Sequence, residues 1–93
     1  MPFRIEMVPE GPTTTIRLIG RMRSELLAEL AAQIEGTRTT VVLDLEEVNL
    51  VDLEVVRFLG ACLGKGIRLV NCSPYINVWI AQEQRLDSHD PQS

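Results

Sequence analysis

The chain has 93 residues, 45% of them apolar and 24% charged, with a net charge of −4. This is one small domain with enough apolar material for a core, which excludes wholesale disorder and leaves little room for a second domain. The acidic balance argues against a nucleic-acid or anionic-membrane surface, and neither an apolar run of about 18 residues nor a charged-then-apolar leader points to membrane insertion or export, so the cytoplasm is the expected location.

Phe3, Ile5 and Met7 alternate with Arg4 and Glu6, which predicts a half-buried strand at a sheet edge. Pro9-Glu10-Gly11-Pro12 predicts a turn, and Thr14 to Ile19, rich in β-branched residues, a second strand closing an antiparallel hairpin. Gly20-Arg21-Met22-Arg23 reads as a loop. Ser24 then reads as the N-cap of a helix over 25–35, whose buried stripe is Leu26, Leu27, Leu30, Ala31 and Ile34 and which Gly36 ends.

Val41 to Leu45 lies in a third strand over 39–45 that is nearly free of polar atoms, and such a run suits a strand buried on both faces. A short loop with Glu46, Glu47 and Asn49 follows. Asp52 is placed to cap a second helix over 53–63, because a carboxylate there accepts bonds from the free N–H groups of the first turn. On a helical wheel Val55, Val56, Leu59, Cys62 and Leu63 fall on the core side with Phe58 at its edge, while Leu53, Arg57, Gly60 and Gly64 turn to solvent. Gly64-Lys65-Gly66 breaks the helix, and Ile67 to Asn71 predict a fourth strand. Ser73-Pro74 opens a third helix to about Leu86, with Ile76, Trp79 and Ile80 as its stripe. Residues 87–93 have nothing to bury and are expected to form a disordered tail. The order β-β-α-β-α-β-α predicts a single α/β domain over residues 1–86, a small four-stranded mixed sheet with right-handed crossovers and parallel pairs.

In the stretch from Val41 to Val56, Asp44-Leu45 closes an apolar strand, Val48, Leu50 and Val51 lie in the following segment, and Asp52 opens the helix. This resembles the STAS domain, named for sulfate transporters and anti-sigma-factor antagonists, whose strand ends Asp-Leu and whose helix opens Asp-Ser-Ser-Gly-Leu. The resemblance extends over residues 3–84 by order of elements. It departs at the serines, where this chain has Leu53-Glu54-Val55. The resemblance implies a STAS-like fold and a non-catalytic, regulatory protein–protein interaction module. Its expected partner is an anti-sigma-factor kinase or another regulatory protein; a small STAS subunit of a transporter ATPase complex is the alternative. In the antagonist branch the residue matching Leu53 is a serine or threonine that a partner kinase phosphorylates. Leucine has no hydroxyl, so that switch cannot operate at this position.

The family's loop after the second strand often reads Gly-Glu-Leu-Asp; here Gly20 is kept and Arg23 takes the aspartate's place. The family places this loop beside the start of the second helix, so the expected partner-binding face is Arg21, Met22, Arg23, Asp52, Leu53, Glu54 and Arg57. Leu53 is either a lone surface apolar residue or an interface anchor, with Leu50 and Val51 adding to the same patch. Glu54 reads as an ordinary first-turn acid favoured by the helix dipole rather than a fixed stand-in for phosphate. Arg21, Arg23 and Arg57 read as solvated arginines or as a basic spot facing a partner's acids.

Asp44 and Asp52 read as a strand terminus and a cap rather than a metal or paired-carboxylate site, since no third acid or histidine completes one. Cys62 and Cys72 read as packed, reduced thiols. His89 stands alone, and Gly60, Gly64 and Gly66 lack the spacing of a phosphate loop, so an enzyme or nucleotide-binding domain is the weaker alternative and no cofactor is expected. A homodimer is left open.

Overall fold

The computed structural model describes residues 3–88. β1 (Arg4–Glu10) and β2 (Thr13–Met22) form the antiparallel hairpin, closed at Gly11, whose φ of 64° suits a residue without a Cβ. A 3-10 turn (Ser24–Leu26) leads into α1 (Leu27–Glu35), followed by β3 (Thr40–Val51), α2 (Leu53–Gly64), β4 (Arg68–Val70) and α3 (Pro74–Ser88). The sheet order is β1-β2-β3-β4, with β1 at an edge and the β2–β3 and β3–β4 pairs parallel. This is the predicted order of elements.

The core gathers on one face of the sheet. Ile16 and Leu18 of β2 and Val41, Leu43 and Leu45 of β3 meet Leu30 of α1, the α2 stripe Val55, Val56, Leu59 and Cys62, and Ile76 and Ile80 of α3. The other face carries no helix in this cluster. Thr15, Arg17, Val42 and Asp44 are only half-buried there, so the expectation that β3 is buried on both faces does not hold. The reason is topological. The strand order advances in one direction from β2 to β4, and right-handed crossovers taken in one direction lay their helices on the same side. The uncovered face is polar: Arg17 reaches Glu6 at 3.5 Å and Glu47 at 3.0 Å. Arg4 also pairs with Glu6, and that hydrogen bond holds the Glu6 carboxyl below its usual pKa.

Several expectations change at the ends of elements. β2 runs on to Met22 and β3 to Val51, where loops were expected from Gly20 and from Glu46. The extension pairs Ile19 with Glu47, Gly20 with Val48, Arg21 with Leu50 and Met22 with Val51, after register shifts between Arg17 and Ile19 and between Gly20 and Arg21. Gly20, at φ 107°, supplies the backbone that such an irregularity requires. Ser24 does not cap the first helix: neither the 3-10 turn nor α1 has a side-chain cap bond, and the turn itself leads the chain into α1. Leu63 is 41% exposed rather than core, although its neighbour Cys62 is buried. Gly60, expected at the solvent, lies under α3, where a Cβ would sit 3.4 Å from Gln84 Cγ and 3.8 Å from Ile80 Cγ2. Ser73 Oγ accepts from the Ile76 N–H at 3.4 Å, as its predicted capping role requires. α3 continues to Ser88, past the expected end at Leu86, and residues 89–93 of the expected tail lie outside the described residues.

Candidate partner-binding face

Asp52 is the hinge pin of the predicted face. Its Oδ1 accepts from the Val55 N–H at 2.9 Å, the predicted cap of α2. Its Oδ2 accepts from the Ser24 N–H at 3.1 Å, a bond the sequence did not indicate. One carboxylate thus clasps the corner after β2 to the first turn of α2. Both segments lie at the carboxyl ends of the parallel strands β2 and β3, where α/β sheets commonly place their working surfaces.

Beside the clasp, Arg21, Met22, Arg23, Leu50, Val51 and Asp52 line a surface depression of about 250 Å³. Arg21 is exposed and Met22 is buried at 2% exposure, because strand alternation continues to the end of β2 and turns Met22 inward. Met22 is therefore part of the core and not the exposed anchor that a loop would have offered. Arg23 is exposed, and its one ion pair among the described residues is a long 3.9 Å contact to Glu25. Leu50 (51% exposed), which lines the depression, and Leu53 (38% exposed), the first residue of α2, supply exposed apolar surface, and Glu54 is exposed next to Leu53 in the first turn. Arg57 points elsewhere: its Nε donates to Glu83 Oε1 at 3.3 Å, across to α3. The anticipated three-arginine spot is thus reduced to Arg21 and Arg23, because docking of α3 against α2 gives Arg57 its own acid.

The other sequence candidates serve the scaffold. Asp44 Oδ1 accepts from the Glu46 N–H at 3.0 Å and from Asn71 Nδ2 at 3.2 Å, tying the middle of β3 to the end of β4, where Asn71 holds a left-handed φ of 55°. Both acids thus spend oxygen atoms on fixed N–H donors. Cys62 and Cys72 are free thiols; burial pushes Cys62 up to about 11 against the opposing pull of Lys65, and burial also raises Cys72. Both are protonated and poorly nucleophilic at neutral pH. A separate apolar surface runs along α3, where Tyr75 and Val78 are 51% and 57% exposed and the Tyr75 and Trp79 rings lie 6.2 Å apart.

Sequence reasoning missed Leu50 and Val51 as strand residues of this face and Ser24 as the partner of Asp52. The apolar Leu50-Val51 pair directly before the capping acid was the available signal for the first; nothing local signals the second.

No family model matches the chain, and no curated protein does. Among solved structures, the anti-sigma factor antagonist SpoIIAA in its unphosphorylated form is similar, with a TM-score of 0.60 and 23% identity over 94% of this chain and 96% of that one. The order of elements, the mixed sheet and this superposition agree: the chain has the STAS-like α/β fold of that antagonist.

Proposed function

We propose that this chain is a non-catalytic regulatory module of the STAS type, acting in the cytoplasm by binding a protein partner through the corner after β2 and the start of α2. The observation that carries this reading is the Asp52 clasp. It joins two chain-distant segments into one preorganised surface, and preorganisation lowers the cost of association. Leu50 and Leu53 form the apolar centre of that surface, and Arg21, Arg23 and Glu54 its charged rim. Central anchors carry most of an interface's energy, while rim charges tune encounter and specificity. The likeness to an anti-sigma factor antagonist supports a partner of that class, an anti-sigma-factor kinase or another regulatory protein. Leu53 carries no hydroxyl, so binding is not switched by phosphate at that residue.

The test is affinity capture from the source cells with wild-type and Leu53→Asp protein, with thermal melting measured in parallel. The expected result is a specific protein retained by the wild type, lost with Leu53→Asp, and a nearly unchanged melting temperature. A captured protein that Leu53→Asp retains in full would move the working face elsewhere, with the Tyr75–Trp79 surface of α3 next in line.

A further inference from the structure

We propose that Ser24 is a phosphoacceptor and that a phosphate on it opens the Asp52 clasp. Ser24 is exposed at the corner between β2 and α1. Its backbone N–H is committed to Asp52 Oδ2 at 3.1 Å, whereas its hydroxyl caps nothing and has no hydrogen-bond partner among the described residues. Arg23 precedes it directly and Arg21 stands three positions before it, both exposed. Arginines at these two positions complement the acid-lined substrate groove of a basophilic serine kinase. Neither arginine is tied up: Arg21 makes no ion pair among the described residues, and Arg23 has only its 3.9 Å contact with Glu25.

The transfer is ordinary phosphoryl chemistry with ATP as donor. Ser24 Oγ forms a bond to the γ-phosphorus, the bond from that phosphorus to the β–γ bridging oxygen breaks, ADP leaves, and the hydroxyl proton passes to the kinase's base. The product carries about −1.5 to −2 charge on the residue whose own N–H Asp52 accepts. Like charges this close repel, and the forked guanidiniums of Arg21 and Arg23 offer the phosphate an alternative. Repelled by Asp52 and drawn to the arginines, the phosphate pulls the Ser24 N–H off Asp52 Oδ2 and frees the corner after β2 from the start of α2. The bond from Val55 to Asp52 Oδ1 lies within α2's own cap and is retained. The consequence for partner binding rests on the function proposed above; the modification and the opening do not.

The experiment incubates the full chain with source-cell lysate and ATP labelled at the γ-phosphate, maps the label by mass spectrometry, and follows amide hydrogen exchange of the purified phosphorylated form. Wild type is expected to take label at Ser24, Ser24→Ala none there, and the paired Arg21→Gln and Arg23→Gln variant several-fold less. Exchange at the Ser24 amide should quicken by about tenfold, the loss of one hydrogen bond, with Val55 little changed. Ser24→Ala keeps the N–H that Asp52 accepts, so it retains the fold. No label on the wild type, or equal label on Ser24→Ala, overturns the site. Label at Ser24 with an unchanged Ser24 amide overturns the opening. Neither readout involves a partner, so their failure is separable from a failure of Leu53→Asp to affect capture.

Discussion

From Thr13 to Arg17, β2 meets Thr40 to Asp44 of β3 residue for residue; Ile19 and Gly20 meet β3 after one register shift, and Arg21 and Met22 after a second. The regular half alternates cleanly, with Ile16 and Leu43 fully buried under the helices. The shifted half carries exposed Leu50, Arg21 and Glu47, and its end forms the depression beside Asp52. The two halves of one strand pair are therefore held differently. Its first half is fixed by burial, which penalises any slip by turning core residues to the wrong face. Its second half, after the shifts, exposes Arg21, Glu47 and Leu50, and the proposed partner face is built from its end.

This contrast can be broken at single residues of β3 and at its clasp. Leu43→Ala removes a side chain with 0% exposure from the regular half and should cost about 2–5 kcal/mol, read as a lower denaturant midpoint. An unmoved midpoint would mean that the regular half does not hold the core. Asp52→Ala removes the cap of α2 and the bond to Ser24 together, and should cost about 1–2 kcal/mol. Asp52→Asn, which can still accept from Val55, should cost less, and Ser24 amide exchange should quicken in the alanine variant. Leu50→Ala, in the shifted half at 51% exposure, should change stability by no more than about 0.5 kcal/mol. A loss as large as that of Leu43→Ala would place Leu50 in a packed layer and erase the difference between the halves.

The two ends of α2 show the same division. At its start, Asp52 caps the helix as its residue type and position foretold, and Leu53 is exposed as the wheel required. Farther along, Arg57 and Gly60 lie on the wheel's outer side, yet Arg57 bonds Glu83 and Gly60 lies under Gln84. A wheel distinguishes the face toward the main core from the rest; it carries no information on whether a second helix covers part of that rest. A Cβ at Gly60 would meet Gln84 and Ile80 only at ordinary contact distances, so the contact does not require a glycine there.

The features legible along the chain are those that depend on neighbours within a few residues. They include the order of strands and helices, the hairpin at Gly11, the stripe Val55, Val56, Leu59 and Cys62, the caps at Asp52 and Ser73, and through these the STAS-like architecture. Hydrophobic periodicity and capping are local chemistry and leave local patterns. Long-range packing sets the rest: β2 and β3 extend to Met22 and Val51, Met22 turns inward, Arg57 leaves the arginine pair for Glu83, and Ser24 is joined to Asp52. Each of these depends on a register or a contact between segments far apart in the chain. A shift of one residue there exchanges the buried and exposed faces without altering the local pattern from which the sequence is read.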